Sequence, residues 1–415
     1  MPTPTPPSDA TDLDRLRAAF RRQFDAPDAA ALVRAPGRVN LIGEHIDYNG
    51  LSVLPMALQR HVALLLRPRA DATVRILSLD PSFEPREFAI AHAIPHYPLG
   101  DWGNYVKAPA QALAREYGPL VGFDAVLGSS VPVAGGLSSS SALVIAVALA
   151  LLRANELVEP PIPLAERMAT AERYVGLQGG GMDQAICLGA EAGTASRVDF
   201  HPLRITPRPI PPDWRIVVAS SLTRAEKSSG AKERYNRRTQ ECREALERVR
   251  AHLGYEPDGP AAPGYRELFA AHQPAELLEA GSAVLADPVI RRYRHVVTEA
   301  DRVARCEAAL LAGDLTTFGR LLSAGHASLR DDYEVSSTEL DQLTRIAEAG
   351  GAAGARLTGA GMGGCILAVA DEDSVAAVLE ALTREFYEGR RYAGALDQHL
   401  FVAEPAGGAS VEELL

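Results

Sequence analysis

The sequence predicts an α+β protein built from two domains, and three observations lead there. Strand-like and helix-like segments are mixed without the strict βα alternation of a parallel sheet. At ~100–200 residues per domain, a chain of 415 residues is expected to hold two. Near its middle lies a proline-dense stretch, residues 202–214, with Pro202, Pro207, Pro209, Pro211 and Pro212. That stretch is the best linker candidate. The expected division is a disordered tail over 1–12, an N-terminal domain over 13–205 and a C-terminal domain over 206–415.

The elements follow from pattern. Residues 1–12 are rich in Pro, Thr and Ser and predict no structure. Leu13, Leu16, Phe20 and Phe24 recur at helical spacing, so Leu13 to Phe24 reads as a helix. Ala31 to Ala35 reads as a short strand closed by Pro36-Gly37. Val53 to Pro68 and Phe123 to Leu127 read as strands. The Ala/Leu/Val-rich segment 141–153 reads as a buried helix, and Leu164 to Tyr174 as a helix opened by Pro163. Beyond the proline stretch, helices are expected over about 232–253, 297–312, 315–325 and 338–349. Ala355 to Thr358 and Ile366 to Ala370 read as strands, and Val375 to Tyr387 as an amphipathic helix.

Composition narrows the function. The formal charge is −11. A non-specific grip on nucleic acid or anionic membrane needs the opposite balance, so neither partner is expected. The only lysines are Lys107, Lys227 and Lys232. Cationic roles therefore fall to arginine. Cys187, Cys242, Cys306 and Cys365 lie far apart with no CxxC and no Cys/His metal spacing. Sparse unpaired thiols fit a reducing compartment. The N-terminus shows no apolar stretch of the secretory kind. The longest apolar run, Ala142 to Leu152, falls short of the ~20 residues that span a bilayer. The expectation is a soluble cytoplasmic protein with no obligate protein partner.

Four segments carry candidate chemistry. In Val131–Ala142, Gly135 and Gly136 let backbone N–H groups approach a ligand, and Ser138 to Ser141 add hydroxyls at the start of a helix. That combination suits phosphate, or is a serine-rich helix cap with a loose lead-in. It lacks the lysine of a Walker A loop. Between Arg38 and Asn49, seven polar residues crowd together: Arg38, Asn40, Glu44, His45, Asp47, Tyr48 and Asn49. Carboxylates and amides in such a group suit a polyhydroxylated ligand; a solvated Asp/Asn/Gly turn is the plainer reading. In Gln178–Gln184, three glycines precede Asp183, a possible general base or a helix cap. Leu357–Cys365 satisfies GxGxxG through Gly359, Gly361 and Gly364. A strand comes after it rather than a helix, so it is not read as a dinucleotide fingerprint.

In this order the four segments resemble the GHMP small-molecule kinases and, within them, the galactokinase branch. APGRVNLIGEHIDYNGLSVLPMA at 35–57 resembles the branch signature, and the serine loop its phosphate motif. RLTGAGMGGC at 356–365 resembles its third glycine motif, and HASLRDDYEVSSTELD at 326–341 a further segment. The resemblance spans roughly residues 30–400. It implies a GHMP kinase fold: an N-terminal domain related to ribosomal protein S5, a ferredoxin-like C-terminal domain, and an active site between them. It also implies ATP and Mg²⁺, with the γ-phosphoryl group passing to the anomeric hydroxyl of a galactose-type sugar.

The same resemblance implies the roles. Asp183 matches the carboxylate that takes the C1 hydroxyl proton, and Arg38 the arginine whose charge favours the ionised form. Glu44, His45, Asp47, Gly180 and Tyr235 match sugar-binding positions. Gly135, Gly136, Leu137, Ser138, Ser139 and Ser140 match the phosphate loop. Ser140 and Glu172 match Mg²⁺ ligands of the superfamily. Trp102 and Tyr105 fall near the adenine position, or are ordinary core aromatics, and Lys227 falls near the phosphates. Ser337-Thr338 stands where the branch often has Cys-Pro. Gly179-Gly180-Gly181 resembles the N-acetylgalactosamine kinases and Tyr235 the galactose-specific members, so both sugars are expected, with galactose the main one. A non-catalytic sugar and ATP sensor is the alternative of another class; Asp183, Arg38 and the serine loop stand against it. A mevalonate or homoserine kinase is disfavoured by the EHIDYNG stretch, since those substrates lack vicinal hydroxyls.

Overall fold

A computed structural model describes residues 9–24, 29–132, 135–176, 178–223, 229–255 and 264–414. The chain begins α1 (Asp9–Phe24), β1 (Ala31–Ile42), β2 (Leu54–Pro68), β3 (Thr73–Ser78), β4 (Arg86–Ala89), α2 (Gly103–Tyr117), β5 (Phe123–Ser129) and α3 (Ser139–Ala154). It continues α4 (Pro161–Ala171), α5 (Met182–Gly189), β6 (Thr194–Asp199), β7 (Arg204–Pro209), β8 (Trp214–Ser220), α6 (Ser229–His252), α7 (Tyr265–Ala271) and α8 (Pro274–Val284). The remainder is α9 (Val289–Ala312), α10 (Leu315–Asp331), α11 (Thr338–Ala349), β9 (Gly354–Thr358), β10 (Cys365–Asp371), α12 (Val375–Leu382), β11 (Leu400–Ala403) and β12 (Ser410–Glu413).

The N-terminal sheet has the order β12-β1-β2-β5-β3-β4, antiparallel except for β3 beside β5. Alternation along its strands feeds two cores. Leu32, Ala63, Leu65 and Val126 face Leu16, Ala19 and Phe20 of α1. Val33, Leu64, Leu66 and Ala125 face the other way, onto α2 and α3. Helix α3 is buried along nearly its whole length, as expected of a helix apolar all round.

The second sheet runs β11-β8-β10-β9, all antiparallel. Numbered from β8, this is the 4-1-3-2 order of a ferredoxin-like βαββαβ unit, with a helical insertion from α6 to α11 filling the first crossover. Val39, Leu41 and Met56 share one apolar cluster with Val217, Leu357 and Leu367. The two halves therefore meet through packed core.

Several expectations change. Residues 9–12, assigned to the tail, belong to α1, and residues 1–8 lie outside the described residues. Strand β1 does not stop at Pro36-Gly37. It continues to Ile42 because the pairing with β2 skips there, from Pro36–His61 to Arg38–Ala57. A bulge of this kind absorbs a proline and re-aims the residues beyond it. The proline-dense stretch is not a linker throughout: Arg204–Pro209 pairs with β6 as a two-stranded ribbon. Pro207 and Pro209 are alternate residues, so both missing N–H groups fall on the unpaired edge. At the far end, β12 returns to pair with β1, so residues 410–413 complete the N-terminal sheet. Ser337, the departure from Cys-Pro, caps α11 by accepting a hydrogen bond from Leu340 N at 3.3 Å.

Candidate active site

Two glycine loops from opposite domains meet backbone to backbone. Gly136 lies in the serine loop before α3, and Gly359 in the turn between β9 and β10. Gly359 has φ +83°, and a Cβ there would come within 2.5 Å of Gly136 O. Only glycine satisfies both constraints. The GxGxxG pattern therefore serves close approach of the C-terminal domain to the serine loop. Leu137 is buried and accepts a hydrogen bond from Arg38 N at 3.1 Å. Ser138 caps α3 in a left-handed conformation, and Ser139 and Ser140 begin the helix.

Asp183 joins this loop to the first strand. It sits in the first turn of α5. Its Oδ1 accepts from Arg38 Nε at 2.7 Å and its Oδ2 from Ser138 Oγ at 2.5 Å. Arg38 also donates through Nη1 to Gly136 O at 2.7 Å. One guanidinium thus bridges Asp183 and the serine loop. The break in the β1–β2 pairing, where Gly37 faces residues 58–60 of β2, is what delivers Arg38 there. The Arg38 side chain is 7% exposed and that of Asp183 26%, so the carboxylate is the group with access to a ligand.

The turn after β1 supplies the rest. Asp47 Oδ2 accepts from Gly180 N at 3.2 Å. Burial, with the Asp183 charge adding to it, lifts Asp47 to about 6. Tyr235 on α6 packs its ring 5.7 Å from His45 and 5.6 Å from Tyr48. Burial, then Asp47 and Asp183, push its phenol well above the usual range, so both carboxylates lie in its field. Burial pushes His45 down to about 3, His295 adding to it. The ring is therefore neutral near pH 7.

Its tautomer follows from its partners. His45 Nε2 lies 3.3 Å from Ala360 O, which only accepts, so Nε2 carries the proton. Nδ1 then accepts from Tyr48 OH at 3.1 Å. Tyr48 in turn meets Tyr333 OH at 2.5 Å, and Tyr333 meets Cys242 Sγ at 3.1 Å. Each hydroxyl has one proton, so the chain runs one way, from Cys242 S–H to His45 Nδ1.

Glu44 is placed differently. It is 2% exposed, with one oxygen paired to Arg356 and Oε1 accepting from Gly359 N at 3.2 Å. Burial lifts it to about 7, against the pull of Arg356. Glu172 is buried in the helical turn after α4; its charge, like those of Asp47 and Asp183, reaches Tyr235. Trp102 stands at the start of α2 and donates from its indole N–H to Glu84 O at 3.1 Å. Tyr105 packs half-buried against the α2–α3 core. Lys227 lies outside the described residues.

The structure thus brings Arg38, His45, Asp47, Gly180, Asp183 and Tyr235 to one place beside Gly136 and Ser138. Sequence reasoning missed Tyr333, His295, Glu299 and Arg356. Tyr333 lies inside the segment 326–341 and Arg356 opens RLTGAGMGGC, so the motifs held two of them without assigning a role. Nothing local marked His295 or Glu299.

Comparison with known proteins gives the family. Residues 18–68 match the galactokinase galactose-binding signature, 104–190 the GHMP kinases N terminal domain and 306–389 the GHMP kinases C terminal region. The chain is 37% identical over 381 residues to a galactokinase of Roseiflexus sp. (strain RS-1), covering 91% of this chain and 92% of that one. It is 36% identical to the galactokinase of Bos taurus, covering 96% of each. Lactococcus lactis galactokinase, solved with galactose, superposes with TM-score 0.84 at 32% identity, over 96% of this chain and 99% of that one. A mevalonate kinase from L. major reaches TM-score 0.58 at 19% identity, over 90% of this chain and 96% of that one, which shows the shared fold alone. A site in which one arginine ties a carboxylate to a glycine-serine loop, set between two domains with those matches, leaves one assignment: the chain belongs to the galactokinase family of GHMP kinases.

Proposed function

We propose that the chain transfers the γ-phosphoryl group of ATP to the C1 hydroxyl of galactose. The observation that carries this reading is the position of Asp183, bonded by Arg38 on one oxygen and Ser138 on the other. The sugar lies over the turn that carries His45 and Asp47, with Gly180 and Tyr235 completing its contacts, while Glu44 acts from behind the turn through Arg356 and Gly359 N. The Asp47 carboxylate offers fixed acceptors to sugar hydroxyls; His45, whose two ring nitrogens are taken by Ala360 O and Tyr48 OH, meets the sugar with its ring alone. Asp183 takes the C1 hydroxyl proton through Oδ2 once Ser138 turns to a phosphate oxygen. Arg38 keeps Asp183 and the phosphate loop in one frame, and its charge opposes the negative charge of the transferring group. Gly135 to Ser140 at the start of α3 cradle the phosphates with backbone N–H groups and hydroxyls, and Trp102 flanks the adenine.

Mg²⁺ fits the donors present. The Ser140 hydroxyl and the Glu172 carboxylate are hard oxygens, and Mg²⁺ takes one or two such protein ligands beside phosphates and water. Those two residues would hold it, and the ion would offset phosphate charge. Four buried, unpaired cysteines suit a reducing cytoplasm, and among the described residues no helix is long and apolar enough to cross a membrane.

One observation favours a second sugar. A Cβ on Gly180 or Gly181 meets protein, but one on Gly179 meets nothing within 4 Å. Gly179 is exposed and carries no side chain, as in the N-acetylgalactosamine kinases it resembles, and on that resemblance an N-acetyl group at C2 is accommodated. An enlarged pocket rejects the smaller sugar only weakly, so galactose remains the main substrate and N-acetylgalactosamine is accepted. A phosphorylation screen on galactose, N-acetylgalactosamine, galacturonate and glucose, with product identified as the 1-phosphate, tests both statements. Turnover of glucose with none of galactose would overturn the first.

A further inference from the structure

The turn that presents His45 and Asp47 hangs on a buried cluster of charges from the other domain. Arg356 on β9 and Glu299 on α9 are both fully buried. Arg356 Nη1 donates to Glu299 Oε1 at 2.9 Å, and its Nη2 pairs with Glu44. Glu299 Oε1 also accepts from Gly43 N at 2.9 Å, and Oε2 from Arg302 Nε at 2.7 Å. His295, one turn earlier on α9, donates from Nε2 to Glu44 O at 3.0 Å while Nδ1 accepts from Ser328 Oγ at 2.9 Å. Room for these side chains is provided on α10, where a Cβ on Gly325 would sit 3.2 Å from Arg356 Nη1 and 3.3 Å from Glu299 Oε2.

Stability does not explain this cluster. Replacing a buried ion network by well-packed apolar side chains is often neutral or favourable. What charged pairs supply is directional placement: only one orientation of the 43–45 backbone satisfies Gly43 N, Glu44 O and the Glu44 carboxylate together. The turn leaves β1 after a second break in the β1–β2 pairing, between Asn40 and Ile42, so its own strand does not fix it.

We infer that Arg356 is a positioning residue for sugar recognition, holding the His45–Asp47 turn in register with Asp183 through Glu44 and Glu299. This rests on the proposed sugar kinase activity. Arg356 is fully buried, with its guanidinium engaged by Glu44 and Glu299, so it acts through them. Its loss loosens one side of the site and leaves the phosphate loop in place.

The test uses the full chain and measures KM for galactose, KM for ATP, kcat and the unfolding midpoint. Arg356→Met is expected to raise KM for galactose at least tenfold while KM for ATP stays within about twofold. Arg356→Lys keeps a charge that reaches one carboxylate and recovers part of the loss. If Arg356→Met does not fold, Glu299→Gln serves instead. It keeps an acceptor for Gly43 N, removes the charge that faces Arg356, and shifts the same KM in the same direction. A purely structural role would lower the unfolding midpoint and the active fraction with both KM values unchanged, and that result overturns the inference. Equal rises in both KM values overturn it as well. A wild-type enzyme inactive on galactose would instead refute the proposed activity, before any variant is compared.

Discussion

Gly180→Ala separates a glycine the site needs from one it merely contains. A methyl group at 180 would lie 2.4 Å from the Asp47 carbonyl carbon, 2.4 Å from Tyr48 N and 2.6 Å from Asp47 Oδ2. Non-bonded carbon contacts sit near ~3.5 Å, so the two backbones must part by about 1 Å. Neither can give cheaply, because one leads into α5 and Asp183 and the other is the sugar turn. Overpacking of this kind costs about 1–3 kcal/mol. The displacement also stretches the Gly180 N–H to Asp47 hydrogen bond, now 3.2 Å. Gly179→Ala, one residue away, meets nothing within 4 Å and is expected within about 0.5 kcal/mol of wild type, as surface substitutions are. Urea unfolding and steady-state kinetics on both variants decide it. Gly180→Ala should lose stability and raise KM for galactose several-fold, with KM for ATP less affected. Indistinguishable variants would mean that the turn and the triple glycine do not touch as described.

Three further outcomes are expected from the same geometry. Asp183→Asn keeps shape and ATP binding but should lose kcat by the ~10²–10⁴-fold typical of a general base; a kcat within about threefold of wild type would leave positioning and electrostatics as the whole of catalysis. Ser140→Ala should raise the Mg²⁺ concentration needed for half-maximal rate while leaving galactose affinity unchanged, and an unaltered Mg²⁺ titration removes Ser140 from the metal. With Asp47 titrating at about 6, KM for galactose should climb as pH falls through that value. Asp47→Asn should abolish the climb, and a wild-type KM flat between pH 5 and 8 would deny Asp47 a charged role.

The motif residues were legible in sequence because each lies in a short segment whose chemistry is local. Glycines beside serines, or a carboxylate after three glycines, marked the segments within a dozen residues but left plain structural readings open, and the roles came from the resemblance of the four segments in order. What ties the segments together was not legible. Arg38 reaches Gly136 and Asp183 only because a bulge carries β1 past Pro36-Gly37, and that bulge is set by pairing with β2. Local propensity read Pro-Gly as a stop, and tertiary pairing overrode it. The same holds for Pro207 and Pro209, which suit a strand that has one free edge. Helices α2, α5, α7 and α8 and the short strands β3, β4, β6, β8, β11 and β12 escaped notice because their patterns are brief or interrupted, as by Pro109 inside α2. Glu44 read as a sugar ligand, and its partnership with Arg356 joins motifs at opposite ends of the chain, which no local window holds.

The electrostatics of the site also set function against stability. Burial raises both Asp47 and Glu44, from the ordinary 3.8 and 4.5 to about 6 and about 7. Between those limits the folded chain holds protons that the unfolded chain releases. Stability from these two groups therefore falls as pH rises through about 4 to 7, and above that the full penalty remains. Glu299 works in the opposite sense. Burial pushes it up, but Arg356 and Arg302 outweigh that and hold it below the usual range, so its contribution is present above about 4.5 and lost in acid. The cluster around Arg356 thus keeps one charge stable near neutrality while the sugar turn carries two that are not. Asp47→Asn should accordingly raise the unfolding midpoint more at pH 8 than at pH 4, while weakening sugar binding at pH 8. A carboxylate whose charged form the fold disfavours near neutrality, yet which lies on the sugar turn beside Asp183, is accounted for by binding rather than by folding.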